Sequence, residues 1–521
     1  MDADTAPHPG ALPRASRPGR RRVPARAVGL AVASLVALAG CGTVAMLTRP
    51  EGDGGWTATE RAARLAEVAR RAGVDLDPQP TLTPAPSPVP PSTAAANDPD
   101  APAAAPLVLS LPEALARVAD GNRRLAEARS QLAIARQRVF EARGRLLPAT
   151  RGSGRYTWND SAQTNTVQIP GAPVQAITIR DRELGTISGA VTVPIDVTGE
   201  ISQALAAAQA GYRGEAARLW ATTLEQDLVV IDAYYTLLEA ERLREVIEQT
   251  IAVHRQQLAF ADDRFRSGRL TKNEVLVVQV ALRNSEQELR RRMLAIDEAR
   301  FALNQAVGLP VDNPTDVVDV RDRPELPGEA EALRLAYRDN PVLLALLEEQ
   351  QRLDDTVTSL VRARLPRLSG GGSVDDSNSK IVEPTLIGAG FVGFEWDLGT
   401  DTRREEQIAQ ARAAADENRV RTERELRELE QAVRSTHRAA EERLAALDTG
   451  ESAVEQAEEN LRIRQQQFDV GRATSDDVLD ATALLARERA SLATARYQAH
   501  TRRAELQRLM GRPLDAPAEG R

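Results

Sequence analysis

The fold is decided by a short stretch near the carboxyl end of the chain, Val470-Gly471-Arg472-Ala473-Thr474. A similar stretch occurs 203 residues earlier, as Ser267-Gly268-Arg269-Leu270-Thr271. Each glycine interrupts a long segment without proline, at 195–309 and at 385–512. Because glycine readily adopts the left-handed conformation that ends a helix, the chain can reverse direction at both points. The sequence therefore predicts two hairpins of long helices.

Apolar residues recur every seven positions on both sides of the glycines, which is the spacing of left-handed coiled coils. The helix before Gly268 is predicted to span 200–266, or about 100 Å at 1.5 Å per residue. The series after the glycines are Val275, Leu282, Leu289, Ile296 and Leu303 in one segment and Val478, Leu485, Leu492, Ala499 and Leu506 in the other. Such stripes are buried only when helices pack against helices.

The chain is an internal duplication. The offset of 203 residues also relates Pro310 to Pro513, and a second offset of 218 relates Asn122 to Asn340. The change of offset places a longer loop in the first half. We predict a first repeat at 107–310, a connector at 311–327, and a second repeat at 328–513.

Each repeat has a non-helical middle in which apolar and small or polar residues alternate, a pattern typical of β-strands. The predicted strands are 151–159 and 186–197 in the first repeat, and 367–373 and 385–398 in the second. The segment at 367–373 is expected to be short and interrupted by Gly370–Gly372. In a membrane these hairpins would have to join a closed barrel, and single-chain barrels begin at about eight strands. Several chains would then share one barrel.

The amino-terminal region is predicted to be an export signal. A basic segment containing Arg14, Arg17, Arg20, Arg21, Arg22 and Arg26 precedes an apolar run that ends Leu38-Ala39-Gly40-Cys41. This end resembles the bacterial lipobox, which implies a signal peptide at 1–40 and lipidation of Cys41. The alternative is an uncleaved anchor at 28–47, which has about the 20 apolar residues needed to span a bilayer. Residues 41–106 read as a lipidated Pro/Ala-rich linker and 514–521 as a disordered tail.

Composition excludes several classes of function. A net charge of −8 argues against a general nucleic-acid binder. A single cysteine excludes an internal disulfide framework and any multi-cysteine metal site, and the four histidines form no recognised metal-binding motif. We therefore predict no catalytic residues, no metal and no cofactor, and a protein that is not an enzyme.

The duplicated order of helix, hairpin and long helix pair resembles the outer-membrane efflux protein family, the TolC-like outer-membrane factors of lipoprotein type. The similarity covers 107–513 and includes the strand-to-helix junctions at 194–199 and 395–399 and the tip at 471–481. It implies a mainly α fold with a small β part, in which long antiparallel coiled-coil helices form an α-helical barrel. Two β-hairpins would contribute four strands to a transmembrane β-barrel shared by a homotrimer.

The same resemblance implies an outer-membrane channel of a tripartite efflux or type I secretion system. Its partners would be a periplasmic adaptor protein, an inner-membrane pump and outer-membrane lipid, with the helical part in the periplasm. An alternative is a periplasmic adaptor lipoprotein with coiled-coil hairpins. An adaptor should have one hairpin flanked by compact β-domains, whereas this chain has two duplicated helical halves.

The resemblance places a periplasmic gate at Asp477 and Asp480, which share a helix face at a spacing of three residues. In a trimer they would form rings of carboxylates, whose repulsion should raise some of their pKa values. The spacing of Thr474 and Asp477 is also that of a helix-capping box, as is that of Thr271 and Glu274. The carboxylate at the third helical position is thus expected to cap its helix in both repeats.

The two hairpin tips are the predicted docking points for the adaptor. Gly268 and Gly471 would form the turns, and Arg269 and Arg472 follow them. The glycines have a purely conformational explanation as helix C-caps. The arginines could contact a partner or only water.

Overall fold

The computed structural model describes residues 107–514, apart from 168–169, 172, 174, 321, 380, 382 and 398–401. The predicted signal peptide, Cys41, the anchor alternative, the linker and residues 515–521 of the predicted tail lie outside the described residues. The described part forms two compact units, one of residues 149–192 and 370–392 and the other of the remainder.

The helices in the described part are α1 (Leu111–Gly121), α2 (Arg123–Gly144), α3 (Glu200–Arg266), α4 (Lys272–Val307), α5 (Glu329–Asp339), α6 (Pro341–Arg362), α7 (Thr402–Asp469) and α8 (Ser475–Leu509). The strands are β1 (Leu107–Leu109), β2 (Ala149–Trp158), β3 (Gln163–Val167), β4 (Gln175–Arg180), β5 (Glu183–Ile195), β6 (Thr315–Val317), β7 (Arg367–Ser377) and β8 (Leu386–Glu395). The predicted fold class, mainly α with a small β part, is confirmed. None of these helices combines the length and apolar character needed to cross a membrane.

The long helices have the predicted extent. Helix α3 has 67 residues and α7 has 68, and each is followed by a shorter partner, α4 of 36 residues and α8 of 35. The heptad stripe lies in the seams, where Leu303, Val478 and Leu506 are fully covered. Each long helix packs along its own shorter partner, so the two coiled-coil hairpins are confirmed.

The duplication extends to the helix boundaries. Helices α1 and α5 have 11 residues each, and α2 and α6 have 22 each. Asn122 and Asn340 separate the members of each pair, and each side chain accepts hydrogen bonds from two backbone N–H groups of the next helix. An asparagine N-cap satisfies amides that have no partner within the helix, so the equivalent bend forms in both repeats.

The helical unit is organised around α3, which packs against α1, α2, α4, α6 and α8. Glycine at position 214 allows α3 to lie close to α6. A β-carbon at Gly214 would lie 3.6 Å from the Cβ of Glu348 on α6. Glu348 is buried there and forms an ion pair with Arg213, at 2.8 Å. Pairing is required because an isolated buried carboxylate would be strongly destabilising.

The connector between the repeats is fastened to the helices by side chains from several of them. The fully buried Tyr234 hydroxyl donates to the Val318 carbonyl at 2.6 Å, and the Val318 amide donates to the same hydroxyl at 3.1 Å. Burial raises the pKa of Tyr234 to about 12, so the hydroxyl stays neutral at physiological pH. Tyr497 donates to Asp319, and a ring nitrogen of the buried His437 lies 2.8 Å from the Pro327 carbonyl. The connector also supplies β6, which pairs in parallel with β1, a contact that periodicity did not predict.

The principal sheet has the strand order β2-β5-β7-β8. The predicted interruption of the third strand at Gly370–Gly372 is wrong, because β7 continues through it to Ser377. Glycine is needed at position 371, because a β-carbon there would overlap the Val191 carbonyl oxygen and lie 3.0 Å from a ring atom of Phe391. The loop of the first repeat is likewise not wholly irregular, since β3 and β4 form a separate antiparallel pair within it.

The strand-to-helix junction of the first repeat is fixed by Asp196 and Gly199. The Asp196 carboxylate accepts hydrogen bonds from the amides of Ile201 and Ser202, at 3.2 and 2.8 Å. Gly199 has a φ of 71°, a left-handed conformation that favours glycine. The predicted junction at 395–399 is described only as far as Asp397, whose carboxylate pairs with Arg404 at 2.9 Å.

Removing the Tyr234 hydroxyl should weaken the attachment of the connector. We expect Tyr234→Phe to lower the free energy of unfolding by about 1–2 kcal/mol, because the Val318 carbonyl loses its donor. Denaturant titration followed by circular dichroism measures this change. The control is Tyr337→Phe, at a partly exposed tyrosine, and should stay within about 0.5 kcal/mol of the unsubstituted protein. Equal midpoints for the two variants would contradict the role assigned to Tyr234.

Candidate gate and docking site at the helix tips

Both long helices end in the same turn. Gly268 and Gly471 have φ angles of 72° and 73°, in the left-handed region. The amide of Gly268 donates to the Phe265 carbonyl at 2.9 Å, and the amide of Gly471 donates to the Phe468 carbonyl at 3.0 Å. No neighbouring atom would contact a β-carbon at either glycine. The requirement for glycine is therefore one of backbone conformation and not of space.

The helices that leave the two turns begin with the same cap. Thr271 accepts a hydrogen bond from the Glu274 amide, and the Glu274 carboxylate accepts one from the Thr271 amide at 2.9 Å. In the second repeat Thr474 and Asp477 exchange the same pair of bonds, at 3.2 and 2.8 Å. Two unpaired amides are satisfied reciprocally at each helix start, which defines a capping box.

The capping box of α8 includes Asp477, one of the two carboxylates of the predicted gate. Hydrogen bonds from the Thr474 amide and hydroxyl lower the pKa of Asp477, and the charge of Arg464 contributes less. A lowered pKa means that this stabilisation is complete at neutral pH and is lost as the pH falls through the folded-state value. Within one chain the pKa thus shifts opposite to the direction expected for a ring of like charges.

Asp480 is in a different situation. It lies one turn further along α8, is exposed, and has no hydrogen bond or ion pair within the described residues. Its equivalent in the first repeat is Val277. Of the two acidic residues, Asp480 is the one whose carboxylate is free to face another chain or a passing ion.

A residue that sequence analysis missed joins the two tips. Arg264, in the last turn of α3, donates to the carbonyls of Phe468 and Asp469 at the end of α7, at 2.8 and 2.6 Å. Its guanidinium also lies 4.4 Å from the ring centroid of Phe260 and 5.0 Å from that of Phe468. A cation is favoured at a helix C-terminus, where carbonyls lack partners, and over aromatic faces. We call this contact the Arg264 clamp.

Apolar packing supports the clamp, and only the first hairpin has an arginine at the clamping position. Leu270, from the first turn, packs against the buried cluster of the second hairpin that contains Leu461, Phe468 and Val478. The residue equivalent to Arg264 in the second repeat is Gln467. The sequence shows that Arg264 lies near the end of a helix, but it does not show that its side chain bonds to a different helix.

The predicted docking residues lie together at the tips. Arg269 and Arg472 are exposed, and neither guanidinium forms an ion pair in the described part of the chain. Phe265 and Val470, next to the turns, are 43% and 69% exposed. The tips therefore present unpaired cations beside apolar side chains, a combination suited to a protein partner.

The three histidines on helices serve packing. His254 lies 3.1 Å from the Ser285 hydroxyl, and His500 stacks on Tyr235 with ring centroids 5.0 Å apart. All three are buried between helices, His437 included. Among residues 107–514 that the structure describes, no group of His, Cys, Asp and Glu is arranged to hold a metal ion.

Comparison with known families gives one extensive match. The family described as outer membrane efflux protein matches residues 114–309 and 332–512, which lie within the predicted repeats at 107–310 and 328–513. A comparison with curated protein sequences gives no significant match.

Several solved structures share the fold. The outer membrane protein VceC from Vibrio cholerae is 18% identical, with a TM-score of 0.65, over 78% of this chain and 97% of that one. The Campylobacter jejuni CmeC outer membrane channel is 14% identical, with a TM-score of 0.64, over 77% and 85%. The open state of the Neisseria gonorrhoeae MtrE outer membrane channel is 17% identical, with a TM-score of 0.61, over 78% and 89%. At these identities the likeness shows the fold.

Breaking the Arg264 clamp should loosen the second tip. We expect Arg264→Gln, which installs the residue found at the equivalent position, to reduce amide protection at 460–472 by about tenfold or more, because two charge-assisted hydrogen bonds are lost. Hydrogen exchange read by mass spectrometry measures this directly. Arg266→Gln is the matched control, since Arg266 is exposed and pairs only with Asp263 at 3.5 Å. Unchanged protection in Arg264→Gln would mean that the clamp does not hold the tips together.

Proposed function

Because the chain belongs to the outer membrane efflux protein family, we propose that it is the outer-membrane channel of a tripartite efflux or type I secretion system. The observation that carries the proposal is the open four-stranded sheet. Every residue of its edge strands β2 and β8 is exposed, on both faces. In the described part of the chain, neither edge strand has a partner on its outer side.

Open edges of this kind are hazardous for a lone chain. Ten-residue edge strands with unpaired N–H and C=O groups invite pairing with other strands. Inside a bilayer each unpaired group would cost several kcal/mol, so the edges have to be closed. Joining β8 of one copy to β2 of the next repeats around a ring, and three copies would close a barrel of the size typical of the outer membrane.

The helices offer a second surface for the same assembly. Leu276, Val280, Leu294 and Phe301 lie along the outer face of α4 and are between 41% and 59% exposed. An apolar stripe left uncovered on a coiled-coil helix is the feature expected where a second copy packs. In the trimer we propose, the paired helices form an α-helical barrel in the periplasm.

The tips would form the gate and the docking site of this channel. We assign Asp480, and Asp477 in addition to its capping role, to a ring of carboxylates that attracts cations and restricts passage. Gly268, Arg269, Gly471 and Arg472 would contact a periplasmic adaptor protein joined to an inner-membrane pump, as the exposed arginines beside Phe265 and Val470 support. The channel would pass substrates without chemical change, so we propose no catalytic residue, metal or cofactor.

The amino terminus would fix the channel in the outer membrane. In this proposal residues 1–40 are removed, Cys41 receives acyl chains, and 41–106 connects the anchor to the repeats at 107–310 and 328–513. Lipid attached at Cys41 would add membrane affinity of about 0.8 kcal/mol per buried CH₂.

Mass spectrometry of the mature protein tests the anchor. We expect an amino terminus at Cys41 carrying acyl chains, and no acyl mass in Cys41→Ser. A mature protein that retains residues 1–40 would contradict lipidation and support the uncleaved anchor at 28–47.

Planar-bilayer recording tests the channel and its gate. We expect the purified trimer to conduct ions, and the double variant Asp477→Ala with Asp480→Ala to conduct more and to prefer cations less, because the carboxylate ring is gone. Asp476→Ala, at the exposed neighbouring acid, is the control and should leave both quantities unchanged. A folded trimer without any conductance would contradict the proposed function. Unchanged conductance and selectivity in the double variant would remove only the gate assignment.

A further inference from the structure

The pairing of β2 with β5 divides their side chains into two faces. The antiparallel register runs from Ala149 opposite Thr192 to Trp158 opposite Glu183. Directly opposed residues lie on the same face, and successive residues along a strand lie on opposite faces. The register therefore assigns every side chain of the pair to one face or the other.

One face is apolar. It carries Tyr156 and Trp158 from β2, and Ile187 and Val191 from β5, with glycine between them. Tyr156, Trp158 and Ile187 are 65%, 60% and 72% exposed. Large apolar side chains with aromatic residues near one end are typical of the lipid-facing side of an outer-membrane barrel.

The other face is polar and cationic. Here β2 supplies Arg151, Ser153, Arg155 and Thr157, while β5 supplies neutral residues opposite the arginines, Ala190 and Thr186. Both arginines are exposed. This face is the one that a barrel turns toward water.

The arginines are not neutralised by carboxylates of their own chain. Within the described residues neither Arg151 nor Arg155 forms an ion pair or donates a side-chain hydrogen bond. Glu183 is on the apolar face, opposite Trp158. On β7, Asp375 accepts a 3.3 Å hydrogen bond from Ser373, and neither Asp375 nor Asp376 pairs with the arginines. The guanidinium groups can therefore interact with ions on this side of the sheet.

We propose that Arg151 and Arg155 line the water-filled interior of the barrel and make this part of the channel favour anions. The inference rests on the proposed function, because only a closed barrel turns the polar face into a lumen. Each copy contributes both arginines, which lie four residues apart, or about 13 Å along the strand. In the assembly they form two successive rings of positive charge, the arrangement that selects anions in pores. Anionic groups on exported molecules would be stabilised at this level of the duct.

The test is the reversal potential of single channels of the full-length protein in planar bilayers. Low salt is needed, because the Debye length is about 30 Å at 0.01 M and about 10 Å at 0.1 M. With a KCl gradient between these concentrations, we expect Arg151→Gln with Arg155→Gln to lower the chloride-to-potassium permeability ratio by about twofold or more. Arg151→Lys with Arg155→Lys keeps the charge and should keep the ratio. The comparison is repeated in the Asp477→Ala, Asp480→Ala background, which removes the acidic residues of the tips.

A second measurement reports the orientation of the faces without depending on selectivity. Ser153 lies between the arginines on the polar face, and Ile187 lies on the apolar face of the neighbouring strand. A water-soluble anionic thiol reagent should change the current through Ser153→Cys and leave Ile187→Cys unaffected. The unsubstituted protein, which contains Cys41, is the reagent control.

The outcomes separate the two proposals. Conducting channels whose permeability ratio is the same with glutamine as with arginine, in both backgrounds, would overturn the anion inference and leave the channel. Reaction at Ile187→Cys in place of Ser153→Cys would overturn it as well. A folded trimer that never conducts would overturn the proposed function, and the inference with it.

Discussion

The structure depends on covering an apolar stripe along helices of 67 and 68 residues. A stripe with a seven-residue period cannot be buried by the helix that carries it, so each long helix needs a partner along its length. The turns at Gly268 and Gly471 supply that partner from the same chain, and packing of α3 against α8 joins the two hairpins. The remaining features, from the asparagine caps to the fastened connector, fix how these helices begin, end and stay together.

The two repeats share a backbone plan and the side chains that cap their helices, but they differ in other side-chain contacts. The glycine turns, capping boxes and asparagine bends are equivalent in both halves, because backbone groups at a helix end need the same partners wherever the end occurs. The specialised groups differ. Arg264 corresponds to Gln467, Asp480 corresponds to Val277, and β3 and β4 have no equivalent among the described residues of the second repeat. Duplication supplied the scaffold, and divergence at a few positions supplied the clamp and the free carboxylate.

Much of this could be predicted from sequence because it is local. The span of α3 follows from proline-free sequence, heptad spacing and a terminal glycine, and the capping boxes follow from residues three apart. Strand limits were less accurate, since alternation does not show where pairing stops. The glycine at position 371 permits a close approach to Val191 that the sequence does not show. Arg264, Tyr234 and the pairing of β1 with β6 could not be predicted, because each joins residues far apart in the chain. The side chains of β2 could be assigned to the two faces of the sheet only from its register with β5.

The parallel pairing of β1 with β6 has a consequence for the order of folding. The three residues at the start of the first repeat find their partner only in the connector, at Thr315–Val317, about two hundred residues later. Because synthesis runs from the amino end, Leu107–Leu109 cannot pair until both helices of the first hairpin, α3 and α4, have been made. The first strand of the first repeat is therefore among the last parts of that repeat to be fixed, and the connector that fixes it leads directly into the second repeat.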